Sequence, residues 1–345
     1  MSQSEQLFGR VDVVGVVEAA YADAESTDQW LAGLLESVGG GIEHLASIAA
    51  LVRDGNPPSI VNVIAGNGLA PTAFADSINS LNIGRFMQLW RNNPLAMASA
   101  HEATVTDLHS TGVLRDHDIQ PSDYLAFSAF DPKGDAIVLS FALPRVMTPT
   151  IHQQRRAGKL AAHISAGLRL RKRSQATDLA GVDRAVAILD PGGKILHARG
   201  DTKGNVVAES LRQAAMRIDR ARTKAGRADA DAALDAWQGL VSGRWSLVDV
   251  FEQGGRRLLV ARENEPEPPP EVRLSQRERQ VVAYAVMGQS QKLIAYTLGL
   301  SIASVSAHLT SACRKLGVAS RVQLAAVLGW GKTVEPASRV APIVE

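Results

Sequence analysis

The chain has 345 residues, of which 46% are hydrophobic and 21% are charged, as is usual for a globular protein and unusual for a disordered one. It begins without a signal-peptide pattern, and no apolar run reaches the length of about 18 residues that a membrane helix needs. The single cysteine, Cys313, excludes an internal disulfide and a multi-cysteine zinc site. We therefore expect a cytoplasmic protein of two or three domains with no membrane span and no metal site.

The first part, residues 1–174, is predicted to be an α+β domain. Helical spacing covers residues 11–24, 30–36 and 82–90, and the segment "PPSIVNVIAG" predicts a strand. Two apolar runs around Asp-Pro-Lys-Gly, in "DYLAFSAFDPKGDAIVLSFAL", predict a hairpin. The run "HQQRRAGKLAAHISAGLRLRKR" then predicts a long helix with one apolar stripe.

The second part, residues 178–263, repeats this pattern on a smaller scale. One hairpin is predicted around Pro-Gly-Gly in "AVAILDPGGKILHARG", and another is predicted to turn at Gly254 and Gly255. Two helical segments lie between them, which indicates a small antiparallel sheet with helices on one face. The Pro- and Glu-rich residues 264–272 favour an extended linker that cannot join a core.

Hairpin placement makes these two parts resemble known input modules. Residues 1–174 resemble GAF-type domains, in which a long last helix follows a hairpin, and residues 178–263 resemble a shortened PAS core. The resemblance implies a region that binds an unknown small-molecule effector or a protein partner, or one that is purely structural or dimerising. The sequence leaves these alternatives open and identifies no cofactor.

Charge distinguishes the C-terminal segment from the rest of the chain. Between Val272 and Lys332 there are eight basic residues and one acidic residue, Glu278, which gives a net charge of +7. Because the whole chain carries +2, the remainder carries −5. A basic end on an acidic body favours contact with a polyanion through that end.

Residues 273–330 are predicted to fold as short helices joined by tight turns. Ser275 and Glu278 fit a capping box at the start of the first helix, and Ser290 and Ser301 are expected to cap the next two. Gly299 is expected to end the second helix with a positive φ, where glycine has no steric cost.

The spacing around that turn is typical of a helix-turn-helix. Ala295 is small enough for two helices to cross closely, and Val305 is placed to fill the space between them. The opposite face of the third helix is then free to enter a DNA major groove. This face is predicted to consist of Ala303, Ser306, Ala307, Thr310 and Arg314.

The pieces "LSQRERQVV", "KLIAYTLGLS", "SVSAHL" and "RKLGVASRVQL" resemble the LuxR/GerE-type helix-turn-helix family. The resemblance implies an all-α four-helix DNA-binding domain of a transcription regulator, with residues 321–328 in a dimer contact and a flexible tail at 331–345. It assigns contacts with base edges to Ser306, Ala307 and Thr310. It assigns contacts with the DNA backbone to Lys292, Ser304, Arg314, Lys315 and Arg321.

Two departures from the family pattern affect DNA reading. The family usually has lysine where Ser306 stands and glutamate where Leu293 stands. Losing a long donor at position 306 predicts weak direct readout of bases, with affinity depending on phosphate contacts and DNA shape.

The sequence as a whole predicts GAF/PAS-like α+β input domains followed by an all-α helix-turn-helix domain. We expect a homodimeric regulator of transcription that binds double-stranded DNA and is not an enzyme. The alternative is a protein-interaction module whose degenerate helix-turn-helix no longer binds DNA specifically.

Overall fold

The computed structural model of the chain describes residues 11–55, 57–66, 86–87, 90, 93–97, 119–131, 134–175, 187–199, 205–237, 245–251, 257–263, 274–316 and 324. Within these residues, a mixed α/β region up to residue 263 precedes a helical region that begins at residue 274. The predicted linker, the tail, Arg321, the turn at Gly254–Gly255 and most of the helix predicted at residues 82–90 lie outside the described residues.

The first sheet has five antiparallel strands in the order β2-β1-β5-β4-β3. Its strands are β1 (Ala46–Arg53), β2 (Ser59–Ala65), β3 (Leu95–Met97), β4 (Asp123–Phe130) and β5 (Ala136–Leu143). The strand at β2 and the hairpin of β4 and β5 are confirmed. Strand β1 was not predicted, because nearly all its side chains are buried and it lacks the alternation that marks a strand in sequence.

Helices cover one face of this sheet. They are α1 (Val13–Ala20), α2 (Thr27–Gly39) and α3 (Ile151–Gln175). The predicted apolar stripe of the long helix α3 is confirmed, since Leu160, Ile164 and Leu168 are buried. They join the core formed by inward-facing strand residues such as Phe127 and Phe141.

The second sheet has four antiparallel strands in the order β7-β6-β9-β8. Its strands are β6 (Ala187–Leu189), β7 (Ile195–Ala198), β8 (Trp245–Phe251) and β9 (Arg257–Glu263). The helices between β7 and β8 are α4 (Asn205–Arg222), α5 (Lys224–Ala228) and α6 (Ala230–Ala236). As in the first sheet, the first strand in sequence pairs with the last, so the two terminal hairpins lie side by side.

The cores of the two sheets are continuous. Trp30 from α2 and Trp237 after α6 are both fully buried and belong to one cluster of apolar side chains. Glu18 on α1 accepts hydrogen bonds from Arg222 at 2.7 Å and from Arg227 at 2.8 Å, which join α1 to helices of the second part. The division into domains at 1–174 and 178–263 therefore stays a prediction.

The C-terminal region begins with α7 (Gln276–Val286), α8 (Gln291–Leu298) and α9 (Ile302–Leu316). The capping box of Ser275 with Glu278 and the cap at Ser290 are confirmed. The Ser301 hydroxyl accepts a hydrogen bond from the backbone N–H of Ser304 at 3.0 Å, which confirms the third cap. No single described helix is long and apolar enough to cross a membrane; α8 and α9 meet that criterion only when joined across their 104° bend.

Candidate nucleic-acid interface

The turn between α8 and α9 has the geometry that the sequence predicts. Gly299 lies in the left-handed region at φ 62°, and its backbone N–H bonds back to the end of α8. Ala295 and Leu298 of α8 and Val305 of α9 are buried in the same cluster, so the two helices pack directly against each other. The apolar stripe of α9 is only partly buried, because Val305 and Ala312 are fully buried while Leu309 is half-buried.

The opposite face of α9 is exposed, as predicted. It carries the residues assigned to base contacts and two further residues, all of them open to solvent: Ala303, Ser306, Ala307, Thr310 and Arg314. Lys292 is likewise exposed at the start of α8. Ser304 is half-buried, and its hydroxyl lies 2.8 Å from that of Ser301 in the helix cap.

Lys315, assigned to the DNA backbone, makes an intramolecular ion pair. Its Nζ lies 2.7 Å from Oε2 of the buried Glu278, whose Oε1 accepts a hydrogen bond from the Ser311 hydroxyl at 2.6 Å. The bond from Lys315, followed by that from Ser311, lowers the pKa of Glu278 from 4.5 to about 2. Glu278 thus holds the C-terminal half of α9 against the N-terminus of α7.

Residues 272–328 match the family described as bacterial regulatory proteins, luxR family (GerE). The matched segment contains α7, the α8–Gly299–α9 turn and the exposed face of α9. These residues form a LuxR-family helix-turn-helix domain.

A stretch of the chain is also similar to a named transcriptional activator. Over 81 residues the chain is 37% identical to the transcriptional activator protein BjaR1 of Bradyrhizobium diazoefficiens. This alignment covers 24% of the chain and 31% of BjaR1, so the chain spans about a third of that relative's length.

Two solved structures align with most of the chain at low similarity. Escherichia coli SdiA is 12% identical with a TM-score of 0.29, covering 88% of this chain and 92% of that one. SdiA in complex with octanoyl-rac-glycerol is 11% identical with a TM-score of 0.23, covering 88% and 89%. Similarity at this level does not establish a common fold.

Helix α8 of the LuxR-type domain is docked on the α/β region that precedes it, a contact that the sequence did not reveal. The buried Tyr296 hydroxyl donates to the backbone oxygen of Leu234 at 2.5 Å. It also lies 3.3 Å from Nε2 of His163 on α3, whose Nδ1 lies 3.3 Å from the hydroxyl of Tyr21. If Nε2 carries the proton, each hydroxyl and ring nitrogen in this chain of contacts has a partner.

His163 is neutral in this environment. Burial, with a smaller effect of the nearby Lys159 ammonium, lowers the pKa of the imidazole from 6.5 to about 3. Burial also raises the pKa of Tyr296, an effect to which the Asp235 carboxylate adds. The hydrogen bond between Tyr296 of α8 and His163 of α3 therefore joins two uncharged groups.

Further side-chain contacts between α3 and the LuxR-type domain lie on either side of Tyr296. Lys159 lies over the Tyr296 ring at 4.8 Å from its centroid, and the Arg169 guanidinium lies 5.9 Å from the centroid of the Tyr284 ring. A Cβ at Gly158 would lie 3.5 Å from Cδ2 of Leu293, so α3 and α8 approach closely there.

This contact gives a structural reason for one departure from the family pattern. Leu293, where the family usually has glutamate, packs on α3 instead of facing water. The unusual apolar residue at this position was the one sequence signal that could have indicated the docking.

Proposed function

We propose that the chain is a DNA-binding transcription regulator of the LuxR type that acts as a homodimer. The observation that carries the proposal is the exposed outer face of α9 in a domain that matches the luxR family. The docked α/β region leaves this face exposed to solvent, as contact with a major groove requires. The net charge of +7 on the C-terminal segment supports a polyanionic partner.

The proposed contacts with base edges are those of Ser306, Ala307 and Thr310. Hydroxyl groups bond to any base, and an alanine methyl can contact only the thymine methyl, so direct readout is weak. Affinity then comes from contacts with phosphates and from DNA shape. The proposed phosphate ligands are Lys292, Ser304, Arg314, Lys315 and Arg321.

The proposed phosphate ligands differ in availability. Lys292, Arg314 and Lys315 are all exposed, but the Lys315 ammonium is shared with the Glu278 carboxylate and the Ser304 hydroxyl with the cap. A cation already paired with a carboxylate releases fewer counterions on binding, so Lys292 and Arg314 contribute most to the proposed salt-dependent affinity.

The mixed α/β region up to residue 263 is proposed to be the input region, made of a GAF-like and a PAS-like part. Hairpin placement supports this, since both sheets bring their first and last hairpins together. Through its docking on α8 the region is positioned to transmit binding of a small-molecule effector or a protein partner to the DNA-binding domain. We place the protein in the cytoplasm.

Binding of the full chain to pooled genomic DNA fragments, measured at two salt concentrations and followed by sequencing of the bound fragments, tests the proposal. Enrichment of a two-fold-symmetric site, with affinity that falls steeply as salt rises, is the expected result. Arg314→Gln, which removes an exposed cation of α9, is expected to weaken binding, whereas Arg217→Gln on α4 leaves it unchanged. Absence of binding at either salt concentration would favour the protein-interaction alternative and overturn the proposal.

A further inference from the structure

One face of α3 continues beyond the edge of the LuxR-type domain. Five positions of α3 follow one another at intervals of three or four and therefore form one stripe along the helix: 155, 159, 162, 166 and 169. Lys159 lies over Tyr296 and Arg169 lies beside Tyr284, which places the LuxR-type domain over the part of the stripe that begins at Lys159. Arg155, one turn earlier, is exposed.

The contact also shows which part of the LuxR-type domain lies nearest to Arg155. Leu293, close to the start of α8, packs on Gly158, while Tyr296, one turn later, packs on Lys159 and His163. The start of α8 thus lies towards the N-terminal end of α3. The exposed Lys292, a proposed phosphate ligand, is the residue before Leu293 and so lies at the end of α8 that is nearer to the N-terminal end of α3.

Of the basic residues Arg155, Arg156 and Lys159 on this part of α3, only Arg155 is not paired with a described carboxylate. Arg156 pairs with Asp231 at 3.0 Å and Lys159 with Asp235 at 2.5 Å, so both are balanced by carboxylates of α6. The Arg155 side chain makes no hydrogen bond or ion pair with any residue that the structure describes. An exposed guanidinium without a carboxylate partner is suited to bind a phosphate group.

We propose that Arg155 is a further DNA-phosphate ligand, supplied by the input region and brought beside Lys292 by the docking of α8 on α3. The inference rests on the proposed DNA binding. It means that DNA is bound by the docked form of the chain, in which the input region is part of the binding surface. The packing of Leu293 on Gly158, at a position where the family usually has glutamate, supports a built contact between α8 and α3.

The test compares Arg155→Gln with Arg217→Gln in the full chain. Both substitutions remove one exposed arginine from a helix, and Arg217 lies on α4, away from the LuxR-type domain. Binding to a fluorescent mixed-sequence duplex of about three helical turns is measured over a range of salt concentrations. Arg155→Gln is expected to weaken binding about three- to tenfold and to reduce the salt slope by about one per chain, while Arg217→Gln changes neither. Arg155→Lys, which keeps the charge, is expected to restore most of the affinity.

The outcomes separate this inference from the proposed function. If the unsubstituted chain shows no salt-dependent binding, the proposed function itself fails. If it binds and Arg155→Gln matches Arg217→Gln in both affinity and salt slope, Arg155 is not a phosphate ligand and only this inference is overturned. Equal melting temperatures of the variants would show that the comparison reports binding and not folding.

A second substitution tests whether the docking of α8 on α3 positions Arg155 to bind a DNA phosphate. Leucine at Gly158 would have to displace Leu293, and it changes no charge. In a Gly158→Leu background, the loss of affinity caused by Arg155→Gln is expected to shrink. If Arg155→Gln caused the same loss of affinity in that background, the docking of α8 on α3 would not be what positions Arg155.

Discussion

At the scale of single residues, Glu278 does two things in the LuxR-type domain. Its carboxylate completes the capping box of α7 with Ser275, and it accepts bonds from Lys315 and Ser311 of α9. Because it pairs with Lys315, it also reduces the availability of that ammonium for an anion. The same residue thus stabilises the domain and limits one of its cations.

Replacing this carboxylate by an amide tests that account. Glu278→Gln keeps the shape of the capping box but removes the charge, and it is expected to lower the free energy of unfolding at pH 7 by about 1–3 kcal/mol. The pKa of Glu278 is lowered in the folded chain, so its stabilisation is present above about pH 4.5 and is lost as the pH falls towards about 2.

Urea unfolding of both proteins at several pH values measures this difference. The difference in the free energy of unfolding between the unsubstituted chain and Glu278→Gln is expected to decrease steadily below pH 4.5. If this difference in free energy stayed constant down to pH 3, the charge on Glu278 would not stabilise the fold.

At the scale of the element, α8 is a helix with two buried faces. Ile294, Ala295 and Leu298 pack within the LuxR-type domain, whereas Leu293 and Tyr296 contact α3. A helix buried on both sides couples the orientation of α9 to the position of α3. A shift of α3 is therefore expected to reach α9 through direct packing.

Restoring the family residue tests whether the second face holds the domains together. Leu293→Glu is expected to leave the helix-turn-helix folded but to place a carboxylate against α3, where its desolvation is unfavourable. Hydrogen exchange should then become about tenfold faster at the buried part of α3 facing α8 and near Leu234, as the docked state loses about 1.4 kcal/mol. Leu293→Met, of similar volume, is the control and should show little change.

If the hydrogen-exchange rates of Leu293→Glu matched those of the unsubstituted chain, this account would be contradicted. The packing on Gly158 would then contribute little to the docking.

At the scale of the whole molecule, the two sheets share one core. Trp30 and Trp237 lie in the same buried cluster, and Glu18 binds two arginines from the second part. Regions with a continuous core unfold together, because neither part can expose its face of the core without exposing the other.

Single-tryptophan variants test this cooperativity. With the other tryptophans replaced by phenylalanine, the fluorescence of the remaining tryptophan, Trp30 or Trp237, is expected to give the same urea midpoint as the far-ultraviolet circular dichroism of the same variant. Trp237→Phe, which removes part of a fully buried ring, should lower the stability reported by Trp30. Two separate midpoints would instead indicate independently folding domains with a boundary near residues 174–178.

The sequence by itself determined the local features of this protein. The caps at Ser275, Ser290 and Ser301 and the positive φ of Gly299 depend on residues within about four positions, so local spacing is sufficient to predict them. The hairpins depend on two adjacent apolar runs and their turn, and the family match rests on one contiguous segment.

Only the tertiary structure decided which distant groups meet. Lys315 pairs with Glu278 across 37 residues, and Tyr296 meets His163 across 133 residues. Periodicity shows that a face of α8 or α3 is apolar, but it contains no information about the element that covers it. The docking of α8 on α3 therefore followed from long-range packing.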